Sequence, residues 1–269
     1  MTEISASLVK ELRDLTGAGM MDSKRALQET EGDLEAARTL LRERGMAAAG
    51  KRAGRETTEG LVMATVSGNL GAIAAVGCET EPVARNEEFI RFAERVLETV
   101  EEHGRDAVDQ LEEERLEVGA RLRENVVILG GTRMEAGEGE LLADYIHPPG
   151  KIGVLVHVRG DNPLAARHLA MHISFSNPSW TRREDVPEEV VAAERQIYLN
   201  SDEVQSKPEQ AREKIVDGML GKRFFAASPG GVLVDQSWII DTSGKTTVAH
   251  ALREERVDVI EFARYAVAE

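Results

Sequence analysis

Two segments of this chain share one pattern, and that pattern limits the fold more than any other feature. GAIAAVGC (Gly71–Cys78) and GVLVHVRG (Gly153–Gly160) are apolar runs that open on glycine, and each is followed by a helical stretch. Short apolar runs bounded by turn residues read as buried strands. LVMATVS (Leu61–Ser67) and a Gly68-Asn69 turn precede the first run, which predicts a β-hairpin. ELLADYIH (Glu140–His147) and Pro148-Pro149-Gly150 precede the second. The expected fold class is α+β, with a core of two related subdomains, each a small antiparallel sheet with helices on one side.

The helices follow from their periodicity. Phe89, Phe92, Ala93, Val96, Leu97 and Val100 fall on one helical face. A charged helical stretch from Asp109 to Glu124 leads to a strand over Asn125–Met134. Asn162-Pro163 opens a helix through Leu169 and Ile173. Between Pro187 and Lys222, Val190, Val191, Ile197 and Tyr198 mark one helix and Ala211, Ile215 and Met219 a second. With Ser206-Lys207-Pro208 between them, they read as an inserted helical hairpin. VLVDQSWII (Val232–Ile240) and VDVIEFARYAV (Val257–Val267) read as strands around a helix near Val248 and Leu252.

Upstream lies a small helical unit. Ser5 can cap a helix carrying Leu8, Leu12 and Leu15, ended by Gly17 and Gly19. A second helix runs from Met20 or Met21 to Glu29, and a third, with Leu34, Ala37, Leu40 and Leu41, stops near Gly45. The polar stretch Ala47–Gly60 has no large apolar residue and reads as a solvated connector. The expected organisation is a three-helix domain over 1–50, a linker over 51–60, and core subdomains over 61–139 and 140–269, with the hairpin insertion over about 187–222.

Composition removes several function classes. The net charge of −15 argues against a broad phosphate-binding surface, despite Lys51, Arg52 and Arg55. Aromatic residues at 4% do not supply a base-stacking platform, so no nucleic-acid partner is expected. Cys78 is the single cysteine, which excludes an intrachain disulfide and a multi-cysteine zinc site. No apolar run is long enough to span a membrane, and the opening MTEISASLVKEL lacks the apolar centre of a signal peptide, so a cytoplasmic protein without a membrane partner is expected.

Three catalytic-looking motifs fail on chemistry. TSGKTTVAHAL (Thr242–Leu252) resembles the end of a phosphate-binding loop, but the required first glycine is Ile239. It reads instead as a turn into a helix capped by Ser243 or Thr246. His168 and His172 lie one helical turn apart, but Leu169 stands where a metalloprotease needs glutamate and no third ligand is evident. TGAGMM (Thr16–Met21) follows a helix rather than a strand. Cys78 lacks an activating base and reads as a small buried hydrophobe. No catalytic residue, cofactor or metal is expected; a binding or regulatory protein fits better than an enzyme.

ISASLVKELRDLTGAGMMDSKRAL (Ile4–Leu27) closely resembles the N-terminal signature of the bacterial elongation factor Ts family. GCETEPVARN (Gly77–Asn86) resembles its second signature, and HPPGKIGVLVHV and HLAMHISFSNP its later core. The resemblance implies a UBA-like N-terminal domain and a guanine nucleotide exchange factor for elongation factor Tu. Such a factor binds the GDP-bound and nucleotide-free partner and promotes GDP release. The family's N-terminal domain docks on the GTPase domain of Tu, which points here to Leu12, Gly19, Met20, Met21 and Lys24. The second signature usually reads T-D-F-V-A-K, and its Asp-Phe pair wedges near the magnesium and phosphate site. Here it is Thr80-Glu81-Pro82-Val83-Ala84-Arg85: the carboxylate stays and the aromatic wedge is lost. The matching loop residues are Thr80, Glu81, Pro82 and Val83. Contacts to the last domain of Tu map to His147 and to the segment containing Gln236 and Trp238. A homodimer or 2:2 complex through the core or the hairpin is open. The alternative is a Tu-binding or other protein-binding module whose exchange activity is weakened by Pro82.

Overall fold

The computed structural model describes residues 4–268, the side chains at positions 46, 49 and 50 excepted. The chain divides into two compact units: residues 1–63 with 74–132 and 266–269, and residues 64–73 with 133–265.

The first unit opens with α1 (Ala6–Thr16), α2 (Met20–Glu29) and α3 (Leu34–Arg52). Ser5 caps α1, its hydroxyl accepting from Leu8 N–H at 3.2 Å, and Gly17 ends it in the left-handed region at φ 65°. Val9, Leu12, Ala26, Leu27 and Ala37 form the buried centre of this bundle, with Ile4, Leu8, Leu34, Leu40 and Leu41 packed around it. The third helix does not stop near Gly45, as the sequence suggested. A Cβ on Gly45 would lie 3.0 Å from Ala120 Cβ, so this glycine serves close helix approach rather than termination. The polar stretch that follows is accordingly helical to Arg52.

Next come β1 (Glu59–Ser67), β2 (Leu70–Cys78), α4 (Glu81–Ala84), α5 (Glu87–His103), a 3-10 turn (Arg105–Leu111), α6 (Glu112–Leu122) and β3 (Val127–Glu135). The strands form one sheet in the order β1-β2-β3. Helix α5 buries Phe89, Phe92, Ala93, Val96 and Val100, the face that its spacing predicts.

The second unit holds β4 (Glu140–His147), β5 (Ile152–Arg159), α7 (Pro163–Ser176), α8 (Glu188–Leu199), α9 (Asp202–Gln205), α10 (Glu209–Met219), α11 (Val248–Glu254) and β6 (Asp258–Ala266). The sheet order is β4-β5-β6, and β4 and β5 are antiparallel with Glu140 opposite Arg159 and His147 opposite Ile152. In both sheets the central strand leads towards a long helix, α5 or α7, which bears out the α+β reading. Val154, Val156, Val158, Leu169, Ile173, Leu233, Val248 and Leu252 share one core. The hairpin has its own small core of Val204, Val216, Met219 and Leu220.

Val232–Ile240 is not a strand. It contains a 3-10 turn, Leu233–Asp235, and isolated bridges from Val232 to Trp180 and from Ser237 to Thr247. Val232, Leu233 and Trp238 are buried while Ile239 and Ile240 are exposed, and its backbone is bonded by loops: Leu233 N–H donates to Trp180 O at 2.8 Å and Trp238 N–H to Thr246 O at 2.8 Å. Backbone polar groups are thus satisfied without a ladder. The cap of α11 is Thr247, whose hydroxyl accepts from His250 N–H, rather than Ser243 or Thr246. Among the described residues, no helix is long and apolar enough to cross a membrane.

Candidate docking site

The turn between α1 and α2 is short and internally bonded. Thr16 Oγ1 donates to Leu12 O at 2.6 Å and accepts from Ala18 N–H at 3.3 Å. Three large apolar side chains beside it face solvent: Leu15 is 58% exposed, Met20 47% and Met21 63%. Lys24 is exposed and Gly19 half-buried. Leu12, expected at a contact surface, is fully buried. It lies on the inner face of α1, where helical spacing carries it into the bundle, and so supports the turn from below.

The second segment is the loop from Glu79 through α4. Glu81 and Pro82 are exposed and Val83 is half-buried. Glu81 pairs with Arg85 one turn on. The Thr80 side chain does not cap α4; its hydroxyl donates to Glu124 Oε1. The other oxygen of Glu124 accepts from Glu79 N–H at 3.0 Å and from Thr80 N–H at 3.1 Å. Asn125 N–H donates to Glu79 Oε1 at 2.6 Å, and Asn125 Nδ2 donates to Arg55 O at 2.8 Å.

Both segments meet the end of α6. Arg121 lies beside Gly17, where a Cβ would come within 2.9 Å of its side chain. Arg123 ends α6 at φ 61° and reaches Asp22 of α2 at 3.4 Å. Residues 121–125 therefore touch the first signature with two arginines and hold the second with a carboxylate and an amide. Their sequence, RLREN, gave no sign of this. Its contacts join residues 45 and 101 positions apart, which no local periodicity reports.

The remaining expected residues separate into surface and interior. His147 is exposed, with Nδ1 3.1 Å from Tyr145 Oη. Gln236 is fully buried and Trp238 is 9% exposed, which corrects the expectation that they form a contact surface. Gln236 Oε1 lies 2.9 Å from His172 Nε2, and Gln236 Nε2 donates to Ala227 O at 2.8 Å and to Gly230 O. Trp238 stacks on His172 with ring centroids 5.2 Å apart. A polar side chain held by three interior partners is a structural element. Among the described residues, no group of three or more His, Cys, Asp and Glu is placed to hold a metal ion. The motif after Asp241 is a closed turn: its carboxylate accepts from Ser243 N–H at 2.9 Å and Thr246 N–H at 3.0 Å. The side-chain hydroxyls of Thr246 and Ser243, with these two N–H donors, hold Asp241 well below the usual carboxylate range.

Burial pushes the His172 imidazole below its ordinary value, and the bond to Gln236 only partly offsets this. The folded chain thus binds fewer protons there than the unfolded chain. Stability from this group is present above about pH 6.5, its unfolded value, and falls as pH drops below it. Thermal melts across that range should show His172→Gln losing part of the unaltered chain's slope. An unchanged slope would show that His172 does not contribute.

The exposed elements are apolar side chains around a tight turn and a loop whose entry is fixed by hydrogen bonds. The family model for Elongation factor TS matches residues 79–269. The chain is 38% identical over 273 residues to Elongation factor Ts of Erwinia tasmaniensis, covering 100% of this chain and 93% of the relative. It is 40% identical over 275 residues to that of Photorhabdus laumondii, covering 100% and 94%. For that of Pectobacterium atrosepticum the identity is 39% over 273 residues, covering 100% and 93%. This protein is a translation elongation factor. The chain belongs to the elongation factor Ts family.

Proposed function

We propose that this chain binds elongation factor Tu·GDP and promotes GDP release so that GTP can rebind. The observation that carries this reading is the exposed pair Met20 and Met21, held in the same compact unit as the exposed Glu81-Pro82 loop. Methionine pairs suit an adaptable apolar contact, with Gly19 and Lys24 beside them. The loop residues Thr80, Glu81, Pro82 and Val83 then act at the nucleotide and magnesium site, and His147 meets the last domain of Tu. Exchange needs no covalent step. The factor must bind nucleotide-free Tu more tightly than Tu·GDP, and linkage makes nucleotide weaken the factor in return.

The test is stopped-flow release of a fluorescent GDP analogue from the cognate Tu. Acceleration of about tenfold or more, equal to about 1.4 kcal/mol off the barrier, supports exchange; none, with binding retained, favours a Tu-binding module with weakened exchange. That second reading rests on Pro82, which offers no aromatic ring. Pro82→Phe should change the saturating release rate severalfold if position 82 acts as a wedge, and an unchanged rate removes the wedge from the mechanism. Met20→Ala with Met21→Ala should raise the half-saturating concentration by about 5- to 30-fold at an unchanged saturating rate, the effect of losing about 1–2 kcal/mol of uniform binding. A fall in saturating rate alone would contradict that assignment. The hairpin also has a free face: α8 buries no residue and Ile197 is 62% exposed, which supports a 2:2 complex or homodimer through this element. Sedimentation of the complex tests it.

A further inference from the structure

We infer that Glu124 is a positioning residue for exchange: its carboxylate fixes the 79–83 loop in the conformation that acts on the partner. This rests on the exchange reading above. Three donors converge on the one side chain, namely the N–H of Glu79, the N–H of Thr80 and the hydroxyl of Thr80. A carboxylate has enough lone pairs to take all three, and charge-assisted bonds are stronger than neutral ones. The next residue repeats the hold from the other side, with Asn125 N–H on the Glu79 carboxylate. Glu79 is also paired with Arg55. The chain reverses direction at Arg123, in the left-handed region at φ 61°, which turns Glu124 away from the axis of α6 and towards the loop.

The loop's outward residues, Glu81 and Pro82, are exposed, with Glu81 paired to the exposed Arg85 one turn on, while its entry is clamped. A clamped loop has little conformational entropy left to lose on docking, so binding energy can go into displacing nucleotide rather than into ordering the loop. A loosened loop would still be carried to the partner by the Met20–Met21 turn. Loss of the clamp should therefore lower the saturating rate and leave half-saturation nearly in place.

Glu124→Gln tests this, because glutamine keeps the size but turns one acceptor into a donor facing other donors. In the fluorescent GDP-release titration, the variant's saturating rate should fall about tenfold, with half-saturation within about threefold of the unaltered chain. Glu79→Gln weakens the reciprocal hold by Asn125 N–H, and the double variant with Glu124→Gln should be no slower than Glu124→Gln alone, because both act through the entry of one loop. Amide hydrogen exchange of the free proteins should show protection at Glu79 and Thr80 lost in Glu124→Gln. An unchanged saturating rate, an additive double variant, or a change confined to half-saturation would each overturn the inference. If the unaltered chain itself does not speed GDP release, the exchange reading falls and this inference falls with it.

Discussion

Gln236→Leu is expected to lower stability by about 3 kcal/mol or more, without a direct effect on partner binding. The glutamine is fully buried, and its side chain meets His172 Nε2, Ala227 O and Gly230 O. Leucine matches its volume but leaves the buried His172 nitrogen and two part-buried carbonyl oxygens unpaired, each costing about 1–3 kcal/mol. The loss falls on the loop that also carries Trp238, which stacks on the same histidine. Urea denaturation followed by far-UV circular dichroism measures it. A surface contact would give the opposite pattern, with stability nearly unchanged and affinity for Tu reduced.

Gly60→Ala should destabilise the chain by a similar amount for a different reason. Gly60 lies within β1 at φ 149°, and a Cβ there would collide with the carbonyl oxygen of Val76 on β2. Backbone cannot turn aside as a side chain can, so the strands must part locally. Overpacking and the disfavoured φ cost about 1–3 kcal/mol each. Gly68, in the turn between the same strands at φ 62°, is the control: nothing lies within 4 Å of a Cβ there. Gly68→Ala should cost only the backbone strain, about 1 kcal/mol. Equal effects at the two positions would show that steric contact with Val76 is not what matters.

Local signals carried much of the fold. The strand read over Glu140–His147 matches the structure residue for residue, and the helix read from Met20 or Met21 to Glu29 starts at Met20 and ends at Glu29. In both, the apolar pattern and the flanking turn residues agree. The failures share a cause. Val232–Ile240 has the apolar run of a strand, but its backbone partners are loops that sequence pattern does not foresee. Gly45 carries a stop signal that is overridden by packing on Ala120. At the site, Met20, Met21, Glu81, Pro82 and His147 are exposed, as their neighbouring turns suggest. Leu12, Gln236 and Trp238 are interior, because residue type does not reveal on which side of a surface a matched position falls. Glu124 escaped notice for the same reason: a carboxylate among many becomes distinctive only when three donors reach it.

The connection after α3 has a consequence for avidity. Residues 53–58 join α3 to β1, and Arg55 within them is held by Asn125 Nδ2 at 2.8 Å and by Glu79. Arg52, just before, donates to Gly119 O at 3.2 Å. The N-terminal helices are therefore not on a free tether. A flexible tether would present a second contact at an effective concentration of about millimolar. For a partner that meets both the Met20–Met21 turn and the 80–83 loop, a pinned connector raises that value when the spacing fits and abolishes the gain when it does not. Such a partner would be selected by distance: one whose two contact points lie at another separation would lose the joint binding even if every contacting side chain were kept.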